Sequence, residues 1–153
     1  MRKRIKDAKG FTLVELICVL TIVSILMGIA VPKFSHSLAR WELDVAAWKM
    51  AIHIRKWQQK AVTEQRFGLR LVIDQKSRKF HLKDGSVIKE TYDMSNLLKS
   101  ISFSPEDFYM VEFYPTGVTS AAGTYALENY QGAFKYIVIL NSTGRVRISS
   151  KRP

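Results

Sequence analysis

The chain has 153 residues, of which 47% are hydrophobic and 24% are charged, a balance that suits one compact domain with one long helix and excludes a disordered chain. The formal net charge is +11; the first ten residues carry five basic groups and one acid, so the remainder carries +7. This charge favours polyanionic partners, nucleic acid or anionic lipid, with a merely soluble basic surface as the alternative. The single cysteine, Cys18, excludes an internal disulfide and a cysteine-based metal site.

Residues 11–31 form a predominantly apolar stretch that follows the basic N-terminus. As a helix, these 21 residues would span about 32 Å, roughly the hydrocarbon thickness of a bilayer. Because Lys and Arg crowd the side before the stretch, we expect the N-terminus in the cytoplasm and everything after Pro32 on the far side. No small-residue cleavage site follows the stretch, so it differs from an ordinary secretory signal.

Glu15 is an acid inside this apolar stretch, where an ionised group costs about 2–3 kcal/mol. The residues Gly10-Phe11-Thr12-Leu13-Val14-Glu15, behind their basic leader, closely resemble the processing site of type IV pilins and pseudopilins. The resemblance implies that a prepilin peptidase/methyltransferase cuts after Gly10 on the cytoplasmic face and methylates the new N-terminus at Phe11. It also implies that Glu15 meets the terminal amine of a neighbouring subunit, which lowers the cost of both charges. A signal-anchored protein with an incidental Glu15 is the alternative.

Gly28 and Pro32 weaken a helix locally, because proline removes one backbone hydrogen bond and glycine adds backbone freedom. We therefore expect a kink or a melted stretch there. In pilins, similar positions let the helix adapt as the subunit moves from lipid to filament, and the resemblance implies this role for Gly28 and Pro32. An ordinary kinked transmembrane helix is the alternative.

Beyond Pro32, apolar residues recur at intervals of 4, 3, 4, 3 and 4 residues, which predicts an amphipathic helix that runs to about Gln65. We expect this stripe to pack under a sheet, with Trp41 and Trp48 as core residues rather than ligand contacts. Its members are Phe34, Leu38, Trp41, Val45, Trp48 and Ile52.

After Gly68 the sequence changes to short β-branched and aromatic runs separated by turn signals, which predicts strands. A long helix followed by strands predicts an α+β fold with an antiparallel sheet packed on the helix. A short helix is expected at Met94–Ser100. The expected strands are 69–73, 79–83, 86–92, 101–103, 110–114, 124–128, 134–141 and 145–150. The expected divisions are a cleaved leader (1–10), a transmembrane and filament-core helix (11–32), an amphipathic helix (33–66) and a β-rich part (67–153).

Three short motifs in the second half resemble the GspH/FimT family of minor pilins, and competence pseudopilins are similar. They are Phe113-Tyr114-Pro115-Thr116-Gly117, Gly123-Thr124 and Gly144-Arg145-Val146-Arg147. The resemblance implies a type IV pilin-like fold and a subunit of a type IV pilus-like or type II secretion filament. It implies a single-pass inner-membrane protein that later faces the periplasm or the cell exterior. The expected partners are other pilin or pseudopilin subunits, the prepilin peptidase/methyltransferase and the inner membrane.

The C-terminal end is rich in basic residues. If it forms a strand from Arg145, the two-residue period places Arg145, Arg147 and Lys151 on one face. With Arg152, this basic ladder fits backbone phosphates by charge rather than by base readout. In FimT-like minor pilins a matching Gly-Arg-x-Arg end is implicated in DNA capture during natural transformation, which makes DNA a candidate partner. The alternative is a purely structural secretion pseudopilin, a tip or priming subunit without DNA binding.

The sequence contains no catalytic constellation. His36, His53 and His81 look isolated, and the first two are 17 residues apart on the helix, too far for one metal ion. The serines lack a nucleophile elbow, and no glycine loop that cradles phosphate is present. We therefore expect no enzyme activity, no cofactor and no metal.

Overall fold

The computed structural model describes residues 11–153, apart from the side chains of residues 31–33. A helix, α1 (Leu13–Thr63), precedes eight strands, and the chain divides into one unit that ends at Ser37 and a second unit, Leu38–Pro153. The strands are β1 (Leu69–Asp74), β2 (Lys79–Asp84), β3 (Val87–Asp93), β4 (Ser100–Ser104), β5 (Met110–Phe113), β6 (Gly123–Glu128), β7 (Phe134–Ile139) and β8 (Val146–Ser149).

Helix α1 begins with a capping arrangement. The Thr12 hydroxyl accepts a hydrogen bond from the Glu15 amide at 3.2 Å, and Thr-x-x-Glu is the sequence of a capping box. The Glu15 carboxylate in the first turn also complements the positive end of the helix dipole. Every side chain from residue 11 to residue 30 is exposed. The mean hydropathy of 2.6 over an 18-residue window makes α1 long and apolar enough to cross a membrane.

The backbone stays helical through Gly28 and Pro32, so the melted stretch expected there is not found among the described residues. A proline removes one backbone hydrogen bond, and the helical turns on both sides keep their own. The expectation of a kink, and of a role for these residues in filament assembly, stays a prediction.

The strands form two four-stranded antiparallel sheets, ordered β3-β2-β1-β5 and β4-β6-β7-β8. The α+β fold with its long N-terminal helix and antiparallel strands is therefore confirmed. All eight expected strands are present, although they divide between two sheets because β5 returns to pair with β1 whereas β4 pairs with β6.

The short helix expected at Met94–Ser100 is wrong. The amides of Leu97 and Leu98 both donate to the Met94 carbonyl, at 3.0 and 2.9 Å, which makes a single turn, and Ser100 already begins β4. Burial of Met94 and Leu98 anchors this turn, so tertiary packing stops the helix before it can extend.

The prediction of which face of α1 packs in the core is also wrong. In the second unit the core face consists of Leu43, Ala47, Met50, Ile54, Trp57 and Ala61, which repeat at the same intervals of 4, 3, 4, 3 and 4. The other stripe points outward: Trp41 is 63% exposed and Trp48 is 55% exposed, whereas Trp57 is 1% exposed. The outward face is hereafter the helix stripe, defined as Leu38, Trp41, Val45, Trp48 and Ile52.

One hydrophobic cluster joins the inner face of α1 to the inward residues of both sheets, and all its buried members lie between residues 43 and 146. Small side chains at Ala46, Ala47 and Ala51 let the strands approach the helix backbone closely, because the distance between packed elements depends on the side chains at the contact. Phe80 and Tyr125 contribute large buried rings from the two sheets.

The two helix faces predict effects of very different size for the same substitution. Trp57→Ala is expected to lower the free energy of unfolding by about 3–5 kcal/mol, because it leaves a cavity in the core. The matched change Trp48→Ala removes an exposed ring and is expected to change it by less than about 0.5 kcal/mol. Guanidinium unfolding of the full chain in nonionic detergent, followed by circular dichroism, measures both, and a larger loss for Trp48→Ala would contradict the assignment of faces.

Candidate functional site

The basic segment, residues 144–152, begins just before β8, which is an edge strand of the second sheet. Val146 is buried, whereas Arg145 and Arg147 are exposed, so the side chains alternate as the sequence predicts. The Arg145 carbonyl accepts from the Leu140 amide at 3.1 Å, which extends the pairing of β8 with β7 by one residue. The structure therefore brings Arg145 and Arg147 onto one face.

Lys151 does not continue this ladder. The Ser149 hydroxyl donates to the Lys151 carbonyl at 2.7 Å and accepts from the Lys151 amide at 3.1 Å, and β8 ends at Ser149. This local bonding turns the chain out of the strand, because serine offers the backbone an alternative to the ladder. Arg152 then lies beside Phe134 and Tyr136 on the outer face of the sheet.

Helix α1 holds the basic segment from its other side. Arg55 donates through Nη2 to the Val146 carbonyl at 2.9 Å, on the open edge of β8, and Gln58 donates to the Gly117 carbonyl at 2.6 Å. Gly144 has φ +61° and packs on this second bond, since an added Cβ would lie 2.0 Å from both the Gln58 amide nitrogen and the Gly117 oxygen. Only glycine fits such a close approach of backbone.

The exposed cations of the basic segment are not neutralised within the described part of the chain. Arg145, Arg147, Lys151 and Arg152 form no ion pair with another described residue. By contrast, Lys135 on the neighbouring strand has its Nζ 2.7 Å from an Asp44 carboxylate oxygen. Charges without such partners remain available to an external anion.

The helix stripe borders a shallow apolar groove with a volume of about 620 Å³. The spacing of its apolar residues is that of a coiled-coil seam, in which two helices meet along a heptad repeat. The groove is lined by Trp41, Asp44, Val45, Trp48, Lys49, Ile52 and His53.

His53 lies at the edge of this groove. The sequence suggested an isolated histidine, but the structure places its ring against residues of β3. Its ring packs on Tyr92 with centroids 3.8 Å apart, and its Nδ1 lies 3.9 Å from a Glu90 carboxylate oxygen. Burial lowers the pKa of His53, although Glu90 acts in the opposite direction. Tyr92 donates to Glu90, and burial together with that bond raises the pKa of Tyr92 to about 12. No metal-binding cluster occurs among the described residues.

The remaining predicted site residues lie in or before the first unit. Gly10 is outside the described residues, Phe11 lies two residues before α1, and Glu15 lies in its first turn. Arg55 and Gln58 were missed by sequence reasoning, because their partners lie 91 and 59 residues away along the chain and leave no local signal.

Comparison with known proteins gives three findings. Residues 5–31 match the prokaryotic N-terminal methylation motif. Type II secretion system protein H of Pseudomonas aeruginosa is 39% identical over 70 residues, which is 45% of this chain and 41% of that protein, so the match spans less than half of either. The type IV minor pilin FimU of Pseudomonas aeruginosa shares the fold, with a TM-score of 0.60 at 15% identity, over 74% of this chain and 94% of the FimU chain.

The chain therefore combines a methylation motif with a type IV pilin-like fold, in which a long apolar helix precedes antiparallel strands. Within that fold, the chain is similar in sequence to a type II secretion system protein H and similar in structure to a type IV minor pilin.

Gly144→Ala tests the anchoring of the basic segment. It is expected to lower the free energy of unfolding by about 2–4 kcal/mol, because the positive φ strains alanine and the methyl group overlaps the Gln58–Gly117 bond. Gly132→Ala is the matched control, with φ +76° but open space around its Cβ, and is expected to cost only about 1 kcal/mol. Denaturant unfolding of both variants measures the difference, and equal costs would show that Gly144 is not tightly packed.

Proposed function

We propose that this chain is a subunit of a type IV pilus-like or type II secretion filament that assembles through α1. In this proposal the leader is removed after Gly10, Phe11 becomes the methylated N-terminus, and residues 11–32 hold the precursor in the inner membrane with its N-terminus in the cytoplasm. Gly28 and Pro32 let the helix adapt as the subunit leaves the lipid. The β-rich part then faces the periplasm or the cell exterior.

The observation that carries this proposal is the amount of apolar surface that α1 leaves uncovered. Residues 13–30 are exposed on every side, and the helix stripe is an exposed apolar surface on the second unit. Exposed apolar patches of this kind mark contacts with protein or membrane. Lipid covers the first part before assembly, and helices of neighbouring subunits cover both parts afterwards.

Glu15 has a local role and a proposed intermolecular one. Its place in the capping box supports the start of α1, and we propose that its carboxylate pairs with the terminal amine of a neighbouring subunit inside the helix bundle. Such pairing compensates for burial of both charges, whereas an unpaired charge there would be strongly unfavourable.

Glu15→Gln separates these two roles, because glutamine also fits the third position of a capping box but carries no charge. The variant is expected to be processed normally, but its incorporation into filaments should fall at least about tenfold. A loss of about 1.4 kcal/mol of association free energy already gives that factor. Sheared filaments and membrane fractions are compared by immunoblot, and N-terminal sequencing reports cleavage after Gly10. Ser24→Ala in the same apolar segment is the control.

Normal incorporation of Glu15→Gln would reject the charge pair. The same assay applied to Trp41→Ala/Trp48→Ala tests the helix stripe, and we expect a folded, processed subunit with reduced incorporation. Full incorporation of this double variant would restrict the assembly surface to the first unit.

A second function is DNA capture through the basic segment, and the exposed, unneutralised Arg145 and Arg147 support it. We propose that Arg145, Arg147, Lys151 and Arg152 contact backbone phosphates without reading sequence. If the chain is instead a purely structural secretion subunit that primes or caps the filament, these cations are a solvated surface.

Arg145→Ala/Arg147→Ala is expected to weaken duplex DNA binding by the full chain in nonionic detergent. The wild type should show a log-log salt slope of roughly −2 to −4 for three or four phosphates, and the double variant should lose about two units of it. Lys76→Ala/Lys89→Ala removes the same charge from exposed positions in the β1–β2 turn and on β3, and is the control. Equal binding by wild type and Arg double variant in fluorescence anisotropy would refute the site, and no wild-type binding at low salt would favour the purely structural subunit.

A further inference from the structure

The outer face of β7 carries a row of apolar side chains where a solvent-facing sheet surface is ordinarily polar. Phe134, Tyr136 and Val138 alternate with the buried Ile137 and Ile139. Leu140, the next outward residue, extends the row by one position. Phe134 is 44% exposed and Leu140 is 46% exposed, so both ends of the row are open to a partner.

The strands beside this row carry small side chains. Ala126 lies directly across from Tyr136, and Thr124 lies across from Val138. With Ser102 and Ser104 on β4, these residues form the floor of an open cavity of about 430 Å³, walled by Phe134 and Tyr136. A volume in this range suits a flat, drug-sized group rather than a protein side chain alone.

The two rings are arranged as a repeating platform. The Phe134 and Tyr136 rings are inclined by only 14°, and their centroids are 6.4 Å apart. This separation follows from the strand repeat, since two residues of a strand advance by about 6.6 Å. Successive parallel rings on a strand offer stacking surfaces to successive bases, and stacking tolerates any base because every base has a π face.

Positive charge brackets the row at both ends. Arg147 lies directly across from Val138, and together with Arg145 it borders a smaller cavity of about 110 Å³ beside Val138 and Leu140. Arg152 lines the larger cavity at the end where the rings lie. Glu128, across from Phe134, is engaged by Lys99 at 2.9 Å and by the Ser100 hydroxyl at 2.7 Å, and these bonds lower the pKa of Glu128.

We propose that this face binds single-stranded nucleic acid, with bases stacked on Phe134 and Tyr136 and phosphates held by Arg145, Arg147 and Arg152. The inference rests on the DNA capture proposed above and specifies its substrate. A ligand that matches the surface has flat apolar groups at short intervals and one anion per group, which describes a single strand. A duplex presents its phosphates to the arginines but keeps its bases stacked inside.

The test compares three fluorescein-labelled probes of equal length with the full chain in nonionic detergent: an oligothymidylate, an abasic strand and a duplex. The wild type is expected to bind the oligothymidylate more tightly than the abasic strand, because only the former can stack. Phe134→Ala/Tyr136→Ala is expected to weaken oligothymidylate binding about tenfold or more while leaving abasic and duplex binding within about twofold.

Three variants complete the design. Phe134→Trp/Tyr136→Phe keeps two rings and should retain tight oligothymidylate binding. Phe67→Ala removes an exposed ring that lies outside this face and should leave the binding of all three probes unchanged. Arg145→Ala/Arg147→Ala should weaken all three probes, and thermal unfolding followed by circular dichroism confirms that each variant is folded.

The outcomes separate this inference from the function on which it rests. Wild-type binding of duplex with no preference for bases over the abasic strand, or oligothymidylate binding unchanged by the aromatic substitutions, would overturn the stacking platform and leave DNA capture by the arginines standing. Equal weakening of all three probes by Phe134→Ala/Tyr136→Ala would also overturn it, because the rings would then only support the arginines. No wild-type binding of any probe would overturn both proposals.

Discussion

The packing of the inner face of α1 against both sheets is the contact on which the rest of the second unit depends. Alanines along that face let the strands approach the helix, and Trp57 fills the space between them. This contact fixes which way the opposite face points, so that Trp41 and Trp48 are left outside. It also sets the positions from which Arg55 reaches β8 and Gln58 reaches the Gly117 loop. The positions of the helix stripe and of the basic segment are therefore consequences of one packing arrangement.

Periodicity predicts most of this fold. The helix end and the strand positions follow from local pattern, because a two-residue or 3.6-residue repeat is written in consecutive residues. The choice of helix face could not be predicted, since two stripes share the same spacing and the outward one has the larger apolar side chains. An apolar stripe predicts that a helix face is buried, but it does not indicate whether that face packs against the same chain or against a partner. The alanines of the inner face give only a weak hydrophobic signal in the sequence, because each buries little area.

The candidate site shows the same division between local and distant causes. The alternation of Arg145 and Arg147 around Val146 follows from strand geometry and was predictable. The departure of Lys151 from that ladder depends on a serine hydroxyl that competes for backbone bonds, and the role of Gly144 depends on a helix residue 86 positions earlier, Gln58. The apolar row on β7 could not be predicted from the sequence, because both faces of this strand are rich in apolar residues.

The spacing of the helix stripe also bears on whether the proposed assembly and the proposed DNA capture are compatible in one subunit. Continuing the 3–4 repeat beyond Ile52 leads to Arg55, whose guanidinium is bound to the Val146 carbonyl. A polar residue with this contact ends the apolar seam, so a neighbouring helix that covers the stripe has no further apolar surface to follow toward β8. The basic segment therefore begins where the assembly surface stops. If α1 assembles as proposed, the arginines of this segment and the outer face of β7 stay open to the proposed polyanion.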